Sequence, residues 1–368
     1  MRYLSLQLIC DIITSLEGSV RPAIYLAEDL ANMGYDITII SPIILPSAEL
    51  EISKMGVKTL NLKTKHFSKA SNSSLLWFET WMYEALLGLN SRRIKNNFLA
   101  TINFSHIIFV PSIFWYLQGP PSTALRDIST QFSLGLKSAY NLLKPLIEHL
   151  DERSIRKARS LSSFIIANSK FCASMYSKFG LKIYGVIYPP LDRRIFHPST
   201  KRPSGDYVLT YFGKETKFSV IKRVADLGVK IKAFGSKTSF IDRRLLKNPN
   251  IEFLGRISTS DLVDAYSNAL FTLFPFTHEP FGYIPLESMA CGTPTLTYGM
   301  QGPGEYIIDG ESGWLASDDE DIVNKAVEIW RGGYPSKIRE RCVEMAKAFD
   351  RKIYTERWLE LLKLFNAI

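Results

Sequence analysis

Short runs of β-branched and aliphatic residues alternate with helix-period patterns along the whole chain, and this alternation constrains the fold more than any other feature. In the first half the runs are YLSLQLIC, DITIIS, VKTLNLK, HIIFVP, FWYLQ and SFIIANS. Between them RPAIYLAEDLANMG sets Ile24, Leu26, Ala27, Leu30 and Ala31 on one helical face before a stop at Gly34. ANSKFCASMYSKFG offers Ser169 as an N-cap and Gly180 as a stop. Strands separated by helices imply a parallel sheet covered on both faces. The pattern breaks at YPPLDRRIFHPSTKRPSGD, residues 188–206, where four prolines fall among turn residues. It restarts with YVLTYFG, VKIKAFG, IEFLG, ALFTLFPF and TPTLTYG. The expectation is an α/β protein of two doubly wound domains, 1–187 and 188–349, facing a central crevice where open α/β sheets bind ligands. A helix over 350–368 could pack on either domain, including a return to the first.

A length of 368 residues fits two domains better than one core. With 46% hydrophobic and 22% charged residues the composition is that of a soluble globular protein. The net charge of +9 is uneven, with 23 Lys and Arg against 8 Asp and Glu between Lys137 and Lys247. An anionic partner is expected, and charge alone does not choose among nucleic acid, phospholipid and a phosphorylated small molecule. Cys10, Cys172, Cys291 and Cys342 form no paired spacing, so neither a disulfide framework nor a metal site is indicated. The longest uncharged aromatic-aliphatic stretch, IIFVPSIFWYLQGPP, is broken by prolines and too short to span a bilayer. The expected location is cytoplasmic, with contact to the inner face of a membrane left open.

The most informative stretch is EPFGYIPLESMACGTPTL, in which Glu279 and Glu287 are separated by seven residues. Glu279 follows a buried strand and is expected at the crevice. Pro280 and Gly282 delay the helix, and Pro285 suits its first turn. That leaves the amides of Gly282, Tyr283 and Ile284 free at a helix start, a setting that favours phosphate. Glu287, a turn later, is suited to a ribose diol, as acids are in dinucleotide sites. The two carboxylates are then expected to hold the two ends of a sugar nucleotide. His278 is read as a strand-end residue with no sequence partner.

These residues resemble family 4 of the GT-B glycosyltransferases, glycosyl transferases group 1, whose signature is a glutamate, seven residues, a second glutamate and a small-residue turn. The likeness continues in GMQGPGEYIIDGESGWL and IEFLGRISTSDLVDAYSNA, and in ANSKF and YPPLDRRIFHP. It is dense from about residue 165 to 320 and thin before that. The resemblance, which includes the mannosyltransferases of lipid-linked oligosaccharide assembly, implies two Rossmann-like domains and a retaining transfer of a hexose from a UDP-, GDP- or ADP-sugar. No cofactor and no metal are implied. Glu279, Lys214, Lys217 and Gln118 are the expected catalytic group. Gly18, Gly213, Phe281, Gly282, Tyr283, Ile284 and Glu287 are the expected donor-binding group. The chain departs from the family where Lys214 replaces an arginine, Gln118 a histidine, and Gly18 stands where a pair of glycines is usual.

The implied partners are a nucleotide sugar, a glycan or lipid-linked acceptor and an anionic membrane surface, without nucleic acid. A helix from Ser73, SSLLWFETWMYEALLGLNSRR, would suit either a membrane face or a buried position. Two other classes stay open: a degenerate module that holds a sugar nucleotide without turnover, and a glycoside hydrolase using Glu279 and Glu287 as its carboxylate pair.

Overall fold

The computed structural model describes residues 5–66, 73–95, 101–200, 203–236, 241 and 244–365. Parts of the expected first strand (1–4), linker (201–202) and last helix (366–368) lie outside them. The chain divides into two compact units, the first made of residues 1–122, 141–190 and 351–368 and the second of 123–140 and 191–350.

The first unit holds a seven-stranded sheet built from β1 (Ser5–Ile9), β2 (Asp36–Ser41), β3 (Lys58–Asn61), β4 (Thr101–Asn103), β5 (Ser112–Leu117), β6 (Ser162–Ala167) and β7 (Gly185–Val186), in the order β3-β2-β1-β4-β5-β6-β7. Every pairing is parallel. Leu6 and Leu8 of β1 and Ile37 and Ile39 of β2 are buried against the helix Arg21–Asn32, whose Ile24, Leu26 and Leu30 face them. The helix Arg351–Leu364 belongs to this core: Tyr354, Trp358 and Leu362 are buried in it, and Trp358 packs on Phe104, Phe114 and Tyr116. Its first residue, Arg351, ties to Asp29 and Glu28 at 2.6 Å each and lies over the Tyr25 ring.

HIIFVP is not a strand; β4 lies just before it. Asn103 and Ser105 bend the chain there. Ser105 Oγ accepts from the amides of Ile107 and Ile108, Asn103 Oδ1 from that of Ser105, and Asn103 Nδ2 donates to Ile108 O. Such side-chain bonds compete with a ladder and win. The helix from Ser73 spans Ser73–Leu87 and buries Leu76, Thr80, Trp81 and Glu84, while Leu86 and Leu87 are exposed.

The second unit repeats the design with β8 (Val208–Phe212), β9 (Ile231–Gly235), β10 (Ile251–Gly255), β11 (Thr272–Phe274), β12 (Thr295–Tyr298) and β13 (Gly313–Ala316), all parallel, in the order β10-β9-β8-β11-β12-β13. Its core gathers Val208, Phe212, Ile231, Leu273 and Leu296 with the helices Phe218–Asp226 and Asp319–Gly332. Each sheet therefore reverses direction of growth once, between β1 and β4 and between β8 and β11, and open α/β sheets take ligands at that point. Among the described residues no helix is long and apolar enough to cross a membrane.

Candidate functional site

In the second unit the loops leaving β8 and β11 diverge at the switch point. The β8 loop carries Gly213, Lys214, Glu215, Thr216 and Lys217. Thr216 Oγ1 accepts from Gly213 N at 2.8 Å and donates to Tyr211 O at 3.0 Å, which curls the loop. Lys217 N donates to Pro275 O at 3.0 Å, binding this loop to the one after β11. The Lys214 carbonyl accepts from Gln131 Nε2 at 2.8 Å.

The Lys217 side chain is already engaged. Its Nζ lies 2.7 Å from Asp319 Oδ1 and 4.6 Å from the centre of the Tyr298 ring, while Tyr298 OH donates to the same Asp319 oxygen at 2.6 Å. Burial works to raise the Asp319 carboxyl, but Lys217 and Tyr298 outweigh it and hold the group below the usual carboxylate range.

After β11, His278 has φ +55° and Gly282 φ +88°. Gly282 opens the helix Tyr283–Ala290, and a Cβ there would stand 2.7 Å from Pro303 Cγ. The carboxylate of Glu279 folds back over this helix start: Oε1 accepts from Gly282 N at 3.1 Å and from Phe281 N at 3.5 Å. The expectation that the Gly282 amide stands free is therefore corrected, because a carboxylate three residues back reaches an unpaired helix amide before any ligand does. Removal from water pushes the Glu279 carboxyl up to about 7, with the charge of Glu215 and then of Asp127 adding to it, against the pull of the two amides. Burial raises Glu215 as well, with Asp127 adding and Lys214 opposing.

The loop after β12 closes the arrangement. Gln301 Oε1 accepts from Glu279 N at 3.3 Å, and Gly302 N donates to Glu279 O at 2.9 Å. That approach needs glycine, since a Cβ on Gly302 would sit 2.3 Å from Pro280 O. Lys217, Thr277, His278, Tyr298, Gln301 and Asp319 line a cleft of about 500 Å³.

The Lys217 N to Pro275 O bond and the approach of Gly213 to Phe276 bring the loop with Gly213, Lys214 and Lys217 against the loop that leads to Glu279 and Gly282, while the Lys217 ammonium turns to Asp319 in the cleft. Phe281 contributes backbone, because its buried ring packs on Tyr283, Tyr306 and Phe349. Ile284 follows Tyr283 in the first helical turn. Glu287 is one turn further on than the helix start, buried, and receives the Tyr266 hydroxyl at 3.3 Å. Gln118 and Gly18 belong to the first unit, on loops after β5 and β1. Gln118 Nε2 donates to Phe104 O at 3.1 Å, and Gly18 opens a short turn, Gly18–Val20.

Two pairs escaped the sequence reading. His278 Nδ1 lies 3.0 Å from both carboxylate oxygens of Asp127, a partner 151 positions away that no local pattern announces. In the first unit Asp11, just past β1, receives His106 N at 3.0 Å, His106 Nδ1 at 3.3 Å, Trp77 Nε1 at 3.1 Å and the Ser105 hydroxyl. Burial works to raise its carboxyl, yet these contacts hold it below its ordinary value.

Two parallel sheets that share this strand order, with a glycine-opened helix after the switch-point strand of the second, define a protein of the GT-B class. Residues 236–349 match the family described as Glycosyl transferases group 1. That stretch is similar to family 4 of the GT-B glycosyltransferases, and the fold around it is of the GT-B class. It is 26% identical over 178 residues to an uncharacterized glycosyltransferase of Methanocaldococcus jannaschii, covering 47% of this chain and 50% of that protein. It is 29% identical over 131 residues to the alpha-1,3/1,6-mannosyltransferase of Candida glabrata, covering 30% of this chain and 27% of the other. The chain thus spans half or less of the length of these curated relatives. Among solved structures, Anabaena HepE in complex with UDP and glucose shares the fold with a TM-score of 0.68 at 14% identity, over 97% of this chain and 99% of that one.

Proposed function

We propose that this protein is a retaining, metal-independent glycosyltransferase that moves a hexose from a nucleoside diphosphate sugar to a glycan or lipid-linked acceptor. The observation that supports the reading is a glycine-opened helix start covered by Glu279, on a loop that the Lys217 N to Pro275 O bond ties to the loop carrying Lys214 and Lys217. An incoming diphosphate takes the helix amides, Glu279 turns toward the hexose hydroxyls, and Lys217 exchanges Asp319 for phosphate. Stabilising the leaving diphosphate by fixed positive groups is the main catalytic contribution. Glu287 serves the ribose.

A lipid-linked acceptor and a place on the inner face of a membrane are supported by the helix Leu134–Leu161. Its N-terminal half exposes Leu134 (87%), Leu142 (82%), Leu136, Leu143 and Leu146 beside Lys137 and Lys144, a combination suited to an anionic lipid surface.

A second reading, a module that binds a sugar nucleotide without turnover, is favoured by the self-satisfied state of the site, with Lys217 on Asp319 and Glu279 on its own helix. Calorimetric titration with UDP, GDP and ADP in metal-free buffer tests both. Micromolar binding of one nucleotide, weakened more than tenfold by Glu287→Gln, followed by transfer or slow hydrolysis of the matching sugar, supports the enzyme. Binding without either reaction selects the module. No binding removes both.

A further inference from the structure

His278 stands out among residues that the donor-site reading leaves unused. It occupies the left-handed region at φ +55°, a backbone state that side chains other than glycine rarely hold and that concentrates at functional sites. Its ring is partly exposed, lines the cleft with Lys217 and Tyr298, and precedes Glu279 directly. Asp127, by contrast, is nearly buried and presents both oxygens to Nδ1 at 3.0 Å.

Carboxylate oxygens accept, so Nδ1 donates to Asp127, and in that tautomer Nε2 is the ring nitrogen that can accept. A buried acid fixing one imidazole nitrogen while the other is offered to a cleft is the arrangement by which proteins orient a histidine toward a substrate hydroxyl. Asp127 comes from the helix Pro121–Ser129, far from His278 in sequence, and residues 123–140 cluster with the second unit.

We propose that His278, oriented by Asp127, is a substrate-binding residue whose Nε2 accepts a hydrogen bond from a sugar hydroxyl in this cleft. The proposal rests on the glycosyltransferase reading for the identity of the sugar, which is either the hexose of the donor or the acceptor.

The test uses two substitutions that separate the ring nitrogens. His278→Asn retains a donor near Nδ1 for Asp127 and tolerates the left-handed backbone, but removes the nitrogen facing the cleft; His278→Gln places an amide near Nε2. With the competent nucleotide sugar, and methyl α-D-mannopyranoside and methyl α-D-glucopyranoside as acceptor probes, Asn is expected to lower kcat/KM for transfer roughly tenfold to a hundredfold. Nucleotide Kd should be unchanged, and Gln should recover much of the loss. If donor hydrolysis falls in parallel the hydroxyl belongs to the donor hexose, and if transfer alone falls it belongs to the acceptor. Asn with full activity, or Asn and Gln equally impaired, overturns the proposal. If the wild-type protein turns over no UDP-, GDP- or ADP-sugar, the glycosyltransferase reading fails separately. The ¹⁵N resonance of His278 Nε2 then decides: a shift on adding either methyl glycoside supports the contact, and no shift with either refutes it.

Discussion

Replacing Glu279 by glutamine probes an acid that burial perturbs at the heart of the site. Its carboxyl rises from the ordinary 4.5 to about 7 on folding, chiefly because it leaves water and then because Glu215 and Asp127 repel its charge. A carboxyl raised in the folded state favours the protonated form. The associated stability is fully present below the unfolded value and is lost as pH climbs through the folded one. At about 1.4 kcal/mol for each tenfold change in proton affinity, the loss between pH 4.5 and pH 7 comes to about 3 kcal/mol. Glutamine resembles the protonated acid, still offers a carbonyl to the Gly282 amide, and never ionises. Glu279→Gln should therefore match the wild type near pH 4.5 and exceed it by up to about 3 kcal/mol at pH 8. The assay is chemical unfolding of both proteins at the two pH values, taken as a difference so that every shared group cancels. A wild-type deficit that is the same at both pH values would refute the desolvation argument. Donor hydrolysis and transfer by the variant should fall at all pH values, separating the stability effect from the catalytic one.

Three further outcomes are expected. Gly302→Ala drives a methyl group to within 2.3 Å of the Pro280 carbonyl, so the loop must shift; a stability loss of about 1–3 kcal/mol and weaker nucleotide binding, read by thermal unfolding and calorimetry, should result. Trp358→Ala empties a fully buried ring site in the first core and should cost about 3–5 kcal/mol, measured by urea unfolding. Leu142→Asp with Leu146→Asp should abolish sedimentation with phosphatidylserine-containing vesicles while leaving the thermal midpoint within a few degrees, because both leucines are exposed; retained sedimentation would show that this face is not the membrane contact.

Elements with strong local signals were legible in the sequence. Ser169 caps its helix by accepting from Cys172 N, as expected. The β8 and β12 runs, largely buried, read as short strand segments, as parallel strands do, while the edge strand β10 was legible despite its exposed Glu252. β4 was displaced because HIIFVP is apolar enough to be a strand, while the bonds that bend it depend on where Asn103 and Ser105 point. The 28-residue helix Leu134–Leu161 was missed: Pro145 interrupts it, and exposed leucines blur the stripe that marks a helix face. At the site, glycine and proline positions revealed the helix start, but not that Glu279 would occupy it. That outcome depends on side-chain reach and on Gln301 and Gly302 arriving from 22 and 23 residues later. The Asp127 partner of His278 was hidden for the same reason, since a tertiary contact between a helix and a distant loop leaves no periodic trace.

The return of Arg351–Leu364 to the first core sets an order of events during synthesis. Trp358 covers Phe104, Phe114 and Tyr116, and Arg351 neutralises Asp29 and Glu28. Until that helix leaves the ribosome, the first sheet has an aromatic face open to water and two acids without their cation. The second unit, made of 123–140 and 191–350, has its whole sheet available sooner. The half of the protein translated first is thus the half completed last, and a nascent chain paused before residue 351 would expose to chaperones the surface that Trp358 later seals.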